Sequence, residues 1–244
     1  MRRSIAAFLV PVVCHAPAAA GAWTQPPEHT LAILKSTSGV EFGAAPAPIA
    51  QNLVSLFVER GVTSDLSVEF QTGVQTNSYA GSRRSGLGEQ AAGLKYRLGR
   101  WRNLVVSGYL GERVLFDLGV GPFARDRPDW RQELRALVGA NYRVLGRDCY
   151  VDIGGAALYG GGARLQVRGD ATLGVTADRV TTLTISSRYG DNVRDAYPSA
   201  WKTLEATAVR KFGRWRLEAG WRRTITSPRL TATSGPVLAV WRSF

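Results

Sequence analysis

From His29 to the C-terminus the chain repeats one unit: about ten residues in which apolar and polar side chains alternate, closed by a turn or a loop. Twelve such segments can be read, at 29–39, 52–61, 66–77, 89–98, 103–115, 131–145, 149–160, 163–177, 180–189, 201–212, 215–226 and 234–244. A period of two belongs to strands that separate two environments, because successive side chains point to opposite faces. In the sixth segment Leu134, Ala136, Val138, Ala140, Tyr142 and Val144 share one parity, and Glu133, Arg135, Gly139, Asn141 and Arg143 the other. The eighth sets Leu165, Val167, Ala171, Leu173 and Val175 against Arg164, Gln166, Arg168, Asp170 and Thr172. The fourth (Leu94, Tyr96 against Lys95, Arg97) and the eleventh (Trp215, Leu217 against Arg216, Glu218) repeat the pattern. The fifth has apolar residues on both parities and does not declare its faces.

The connections alternate in length. Tight turns follow even segments: 61–65, 99–102, 146–148, 177–179 and 213–214. Three of these read as one motif, Leu98-Gly99-Arg100, Leu145-Gly146-Arg147 and Phe212-Gly213-Arg214. Longer stretches rich in Gly, Pro and charge follow odd segments, at 40–51, 78–88, 116–130, 190–200 and 227–233, with Gly160-Gly161-Gly162 as a short exception. An all-β, up-and-down antiparallel transmembrane barrel of about 12 strands produces this rhythm: short turns at the periplasmic end, long loops outside, an even strand number and both termini periplasmic. Strands of about ten residues cross a bilayer when tilted, and closure leaves no sheet edge in lipid. An exported soluble β-sandwich or lipocalin-like barrel is the competing architecture. The small, Gly-rich charged parity and the aromatics at segment ends favour the membrane barrel. Trp23, Tyr96, Trp101, Tyr142, Phe212, Trp215 and Trp241 are expected at the periplasmic rim, and Phe116, Trp130, Tyr159, Tyr189, Tyr197 and Trp201 at the outer rim.

Residues 1–20 read as an export signal. Arg2 and Arg3 precede an apolar run from Ile5 to Val13, and Ala18-Ala19-Ala20 offers a small-x-small cleavage pattern. Cleavage before Gly21 or before Trp23 leaves a mature barrel of about 21–244. That barrel keeps 29 basic against 19 acidic residues and a single cysteine, Cys149, so it can form no internal disulfide. The mean hydropathy of −0.10 argues against a bundle of membrane helices.

The chain closes on Leu238-Ala239-Val240-Trp241-Arg242-Ser243-Phe244. A C-terminal Phe on an alternating last strand resembles the signal that bacterial outer-membrane barrels present to their insertion machinery, with Arg242 standing where a hydrophobe is usual. Phe244 is therefore the candidate insertion signal. The mature start, Gly21-Ala22-Trp23-Thr24-Gln25-Pro26-Pro27-Glu28, resembles the opening of proteobacterial outer-membrane barrels grouped with the phenol-degradation MetA-pathway proteins and labelled transporters. That resemblance implies an outer-membrane location and contact with membrane lipid and lipopolysaccharide.

Catalytic chemistry finds little footing. A Ser–His barrel hydrolase, of the phospholipase or lipid A deacylase type, needs a His beside its Ser. The two histidines are His15, in the signal, and His29, at the start of the first segment. One mature Cys and one mature His give no metal site, the glycine runs lack the Lys-Ser/Thr of a phosphate loop, and no cofactor is implied. The net charge of +12 suggests nucleic acid, but the arginines are spread over strands with no basic arm or stacking platform, so no nucleic-acid partner is expected. Arg100, Arg102, Arg147, Arg179 and Arg214 fall in the tight turns, where long cations snorkel to the interface. Function is therefore expected in the lumen. Its candidate lining is Lys95, Arg97, Arg135, Arg143, Arg164, Arg168, Arg188, Arg216 and Arg222, facing Glu69, Glu133, Asp152, Asp170, Glu205 and Glu218. Two outcomes compete: an Arg-lined pore passing small, preferably anionic solutes, or a non-conducting structural or binding barrel plugged by Arg–carboxylate pairs. Gly93, Gly139, Gly154 and Gly220 on the polar parity are expected to leave room for water.

Overall fold

The computed structural model describes residues 21–42, 49–116, 128–160, 165–193, 200–227 and 231–244. They form thirteen strands: β1 (Thr30–Phe42), β2 (Ile49–Gly61), β3 (Leu66–Tyr79), β4 (Ser82–Leu87), β5 (Gln90–Trp101), β6 (Leu104–Phe116), β7 (Pro128–Val144), β8 (Arg147–Tyr159), β9 (Leu165–Thr176), β10 (Thr181–Asn192), β11 (Ala200–Phe212), β12 (Trp215–Ser227) and β13 (Thr231–Ser243). Each is antiparallel to its neighbours. β1 pairs with both β2 and β13, and β2 with β3, so the sheet closes on itself. β4 and β5 share β3 as partner and act as one stave, which makes a closed barrel of twelve staves. A 13-residue strand such as β1 is about 44 Å long and, at the usual barrel tilt, rises about 34 Å, enough to cross a hydrocarbon core.

Burial alternates along the strands. Leu94, Ala136, Val138, Leu173, Leu183, Ile185, Leu217 and Ala219 are all exposed on the outer wall, while the charged parity is turned inward. On β6, which is ambiguous in sequence, Val105, Ser107 and Tyr109 are buried inside and Leu110 lies outside. Its inward face carries apolar side chains because it packs against the amino-terminal segment described below.

Local structure departs from the sequence reading in three places. The stretch expected as a loop at 78–88 is a continuation of β3 and its hairpin partner β4, joined at Ala80-Gly81, whose φ angles of 46° and 82° suit a two-residue turn of the type that matches strand twist. The connection expected at 227–233 shrinks to three residues between Ser227 and Thr231. The glycine motif serves as a turn only twice, at Leu145-Gly146 and Gly213-Arg214; near Gly99 the β5–β6 ladder shifts register instead, and the chain turns at Arg102-Asn103. A motif of three residues does not distinguish a bulge from a turn, because glycine relieves the same backbone crowding in both.

Most of the aromatic reading stands on the outer wall. Tyr96, Trp101, Tyr142, Phe212 and Trp215 are exposed at the end that carries the short turns, and Trp130, Tyr159 and Tyr189 at the end that carries the loops. Trp23, Trp201 and Trp241 instead point inward. Trp241 joins Leu31, Ile33 and Ala239 in an apolar cluster inside the barrel, and Trp201 lies against Gly190. Tyr197 falls outside the described residues. Arg242 also gains a role: its guanidinium lies 4.5 Å from the ring centres of both Trp215 and Phe244, so a cation sits between two rim aromatics at the last turn of the barrel. Phe244 itself is exposed and pairs through its backbone with Thr30.

Candidate functional site in the barrel lumen

Residues 21–25 run into the lumen from the turn end, where Pro26 and Pro27 stay exposed beside Gly61. Ala22 is fully buried and packs with Trp23 against Val105 and Leu137. Trp23 meets Tyr150 edge-on at 6.5 Å, and the Gln25 amide donates to Ser67 Oγ at 3.1 Å. Gly139 is small because Trp23 lies on it: a Cβ there would come within 2.7 Å of the indole. Gly93 is likewise covered by the Tyr109 ring, Gly154 by the Asp170 carboxylate and Gly220 by Thr207. The lumen glycines therefore seat neighbouring side chains and do not hold open space for water. The turn half of the lumen is filled.

The charges on the inner wall form two networks. The first is a chain of alternating sign. Lys95 Nζ lies 2.8 Å from Glu59 and 3.1 Å from Glu69; Arg135 reaches Glu69 at 2.7 Å and Glu133 at 3.3 Å; Arg113 holds Glu133 at 2.7 Å. Glu89 then pairs with Arg113 and with Arg168, the latter at 3.4 Å. The Arg135 guanidinium also stacks 3.6 Å from the Tyr109 ring centre. In the second network Lys35 bridges Glu205 at 2.5 Å and Glu218 at 3.4 Å, Arg222 holds Glu205 at 2.8 Å, and Trp241 donates to Glu218 at 2.9 Å. Four cations face four carboxylates in the first network and two face two in the second. Such pairing offsets the desolvation that isolated inward charges would suffer.

The candidate residues thus divide by surroundings. Glu69, Lys95, Glu133, Arg135 and Arg168 belong to the first network, and Glu205, Glu218 and Arg222 to the second. Arg97 and Arg143 sit at the turn end, tied to turn carboxylates: Arg97 Nε is 2.8 Å from Asp65, and Arg143 Nε 3.0 Å from Asp148. The Arg97 bond, with a second from Ser64, holds the Asp65 carboxyl below its ordinary range, and amide donation from Val180 does the same for Asp178. Asp152 accepts from the Ala22 amide, and Arg216 lies half-buried on the inner wall. Asp170 and Arg188 point inward yet remain exposed, opposite one another on β9 and β10. Arg164 lies outside the described residues.

Lys35, Glu59, Glu89 and Arg113 complete these networks without standing out in the sequence. Glu59 and Arg113 lie on strands with apolar residues on both parities, and Glu89 sits at a strand break between β4 and β5. A lone Lys35 within a Ser/Thr-rich first segment was the one available signal, since lysine is rare in this chain. At the loop end a polar cavity of about 210 Å³ opens between β1, β2, β3, β12 and β13, bordered by Thr37, Gln51, Gln75, Arg222 and Thr224. Among the described residues no group of His, Cys, Asp or Glu is placed to hold a metal ion.

A closed antiparallel barrel with an outward apolar belt, rim aromatics and inward charge defines an outer-membrane-type β-barrel. Its fold is similar to that of the COG4313 outer membrane channel from Pseudomonas putida F1, at 15% identity and a TM-score of 0.65 over 91% of this chain and 97% of that one. The NanC porin follows at 9% identity and TM-score 0.55, covering 85% and 98% of the two chains, and the translocator domain of the autotransporter NalP from Neisseria meningitidis at 11% and 0.53, covering 90% of each. No protein-family model and no curated protein sequence matches the chain.

Proposed function

We propose that this barrel sits in the outer membrane and passes small polar solutes by diffusion, with a weak preference for anions. The observation that carries the reading is that Asp170 and Arg188 face inward and are still exposed, because only water inside the barrel can reach such side chains. The polar cavity at the loop end widens the same aqueous space. The likeness to the COG4313 channel and the NanC porin supports a channel role. Preference for anions rests on Arg188 and Arg222 at this mouth, and it is weak because both charge networks balance. Membrane lipid and lipopolysaccharide surround the apolar belt, and Phe244 addresses the chain to the insertion machinery. No catalytic step is assigned to the barrel; His29, the single histidine of a chain cut after residue 20, is exposed at the turn end.

Two measurements test this. Outer-membrane fractions are expected to contain a band that shifts on boiling, and recovery as a soluble periplasmic protein would reject the location. In planar bilayers the purified barrel is expected to give small discrete steps with anion preference. Arg188→Glu should abolish or reverse that preference at 0.1 M salt, where the screening length is about 10 Å, and change little at 1 M, where it is about 3 Å. Arg188 is the position to change because Arg135 is committed to two carboxylates.

The alternative, a plugged and non-conducting barrel, draws support from Glu89–Arg168, which joins staves four apart across the lumen, and from the filled turn half. Silence over many insertions, with heat-modifiable protein present, would select it.

A further inference from the structure

Two inward carboxylates carry a buried oxygen without a hydrogen-bond partner among the described residues, Glu59 and Asp152, and Glu59 already has Lys95 as its counter-charge. Asp152 Oδ1 accepts from the Ala22 amide at 3.1 Å, while Oδ2 is buried with no hydrogen-bond partner among the described residues. The same carboxylate lies directly against Gly21. A Cβ on that glycine would sit 2.2 Å from Oδ1 and 2.4 Å from Oδ2, so any larger residue would push the carboxylate out of this position. Around it the two residues are fully used: the Gly21 carbonyl accepts from Lys95 Nζ at 3.1 Å, the Ala22 carbonyl accepts from Ser107, and the Ala22 methyl fills the space beside Val105 and Leu137.

We infer that the exported chain is cut between Ala20 and Gly21, and that the new Gly21 α-ammonium docks on Asp152 as the missing counter-charge, locking residues 21–25 inside the barrel. This rests on the outer-membrane reading, because it needs a signal peptidase. In the cut, water adds its hydroxyl to the Ala20 carbonyl carbon, the peptide C–N bond breaks, and Gly21 nitrogen takes up the hydrogen and a further proton as an ammonium. The cut precedes folding, since Gly21 is buried once the barrel closes. The alternative bond, after Ala22, would remove both residues. Lys95 would keep Glu59 and Glu69 but lose its carbonyl acceptor. Ser107 would lose its acceptor, Asp152 the one donor it has among the described residues, and Val105 and Leu137 the methyl between them. A buried polar group without a partner carries a desolvation penalty, so the folded barrel is built for a chain that begins at Gly21.

Protein extracted from outer membranes is expected to have the intact mass of residues 21–244. A mass starting at Trp23, or an uncut chain in the outer membrane, would overturn the assignment and leave the location standing; a freely soluble protein would overturn the location. Docking is read from the amine itself. A carboxylate contact favours the unreactive ammonium over the free amine, so an amine-selective aldehyde should label folded wild type at least about tenfold more slowly than heat-unfolded chain. Asp152→Asn, still heat-modifiable, should label at nearly the unfolded rate. Gly21→Ala, which keeps every charge but thrusts a methyl into the carboxylate, should do likewise and serves where Asp152→Asn does not assemble. Equal protection in wild type and variants would show that Asp152 does not hold the terminus.

Discussion

Lys95→Ala is expected to lower the stability of the folded barrel by about 3–5 kcal/mol, the cost of removing one member of a buried ion cluster. The ammonium is fully buried between Glu59, equally buried, and Glu69, which is nearly so. Removing it leaves two carboxylates close together in a site that water does not enter, and it also strips the Gly21 carbonyl of its donor. Unfolding by urea in detergent, followed by the unboiled-gel shift, gives the comparison. Lys35→Ala removes a cation whose side chain keeps 17% exposure, and it should cost visibly less, because water can resolvate Glu205 and Glu218. Converting only the pair, Lys95→Met with Glu59→Gln, should recover most of the loss, since Glu69 keeps Arg135 as its partner and the network stays balanced at three cations and three carboxylates. If Lys95→Ala unfolds at the wild-type urea concentration, the cluster does not have the buried, water-free character described here.

How much of this was legible in the sequence depends on how different the two faces of each strand are. On β7, β9 and β12 one face meets lipid and the other meets charge, so Leu134–Glu133 or Leu217–Glu218 declare themselves by parity. β6 hides its inner face because Val105 packs on Ala22 while Val106 faces outward, and both surroundings select the same kind of side chain. The same ambiguity hides Glu59, on a strand where Leu53 and Phe57 also turn inward. Glu89 is lost for another reason: the break between β4 and β5 interrupts the period by which parity is counted. Residues 21–27 have no period at all, so Trp23 reads as one more rim aromatic until Gly139 and Tyr150 are seen beside it. Charge pairing is the least legible property. Counting Arg against Glu suggests a cationic lining, whereas Arg97 and Arg143 are spent on Asp65 and Asp148 at the turn end and each of the two networks is balanced in charge. That neutrality is why only a weak selectivity is expected, and why it is expected to depend on Arg188 more than on the number of arginines.

Val138→Arg is expected to destabilise the barrel by about 2–4 kcal/mol, whereas Leu217→Arg should cost less, because the penalty for a lipid-facing cation falls with distance from the bilayer midplane. On the outer wall of β7 Val138 lies four residues from the rim aromatic Tyr142 and eight from Trp130 at the other rim, and Leu217 is only two residues from the rim aromatic Trp215. From Leu217 the arginine stem can carry its charge to the interface beside Arg242; from Val138 the reach is longer at both ends. The inward control is Thr172→Arg on β9, a half-exposed position next to Asp170, where a cation gains a water-accessible partner and assembly should be near wild type. A one-residue slip in register would exchange the faces of a strand and reverse this order. Urea midpoints for the three variants, each first checked for heat-modifiable migration, therefore read the register directly: Val138→Arg lowest, Leu217→Arg intermediate, Thr172→Arg unchanged. Wild-type stability for Val138→Arg together with failure of Thr172→Arg would mean that the wall described here is turned inside out.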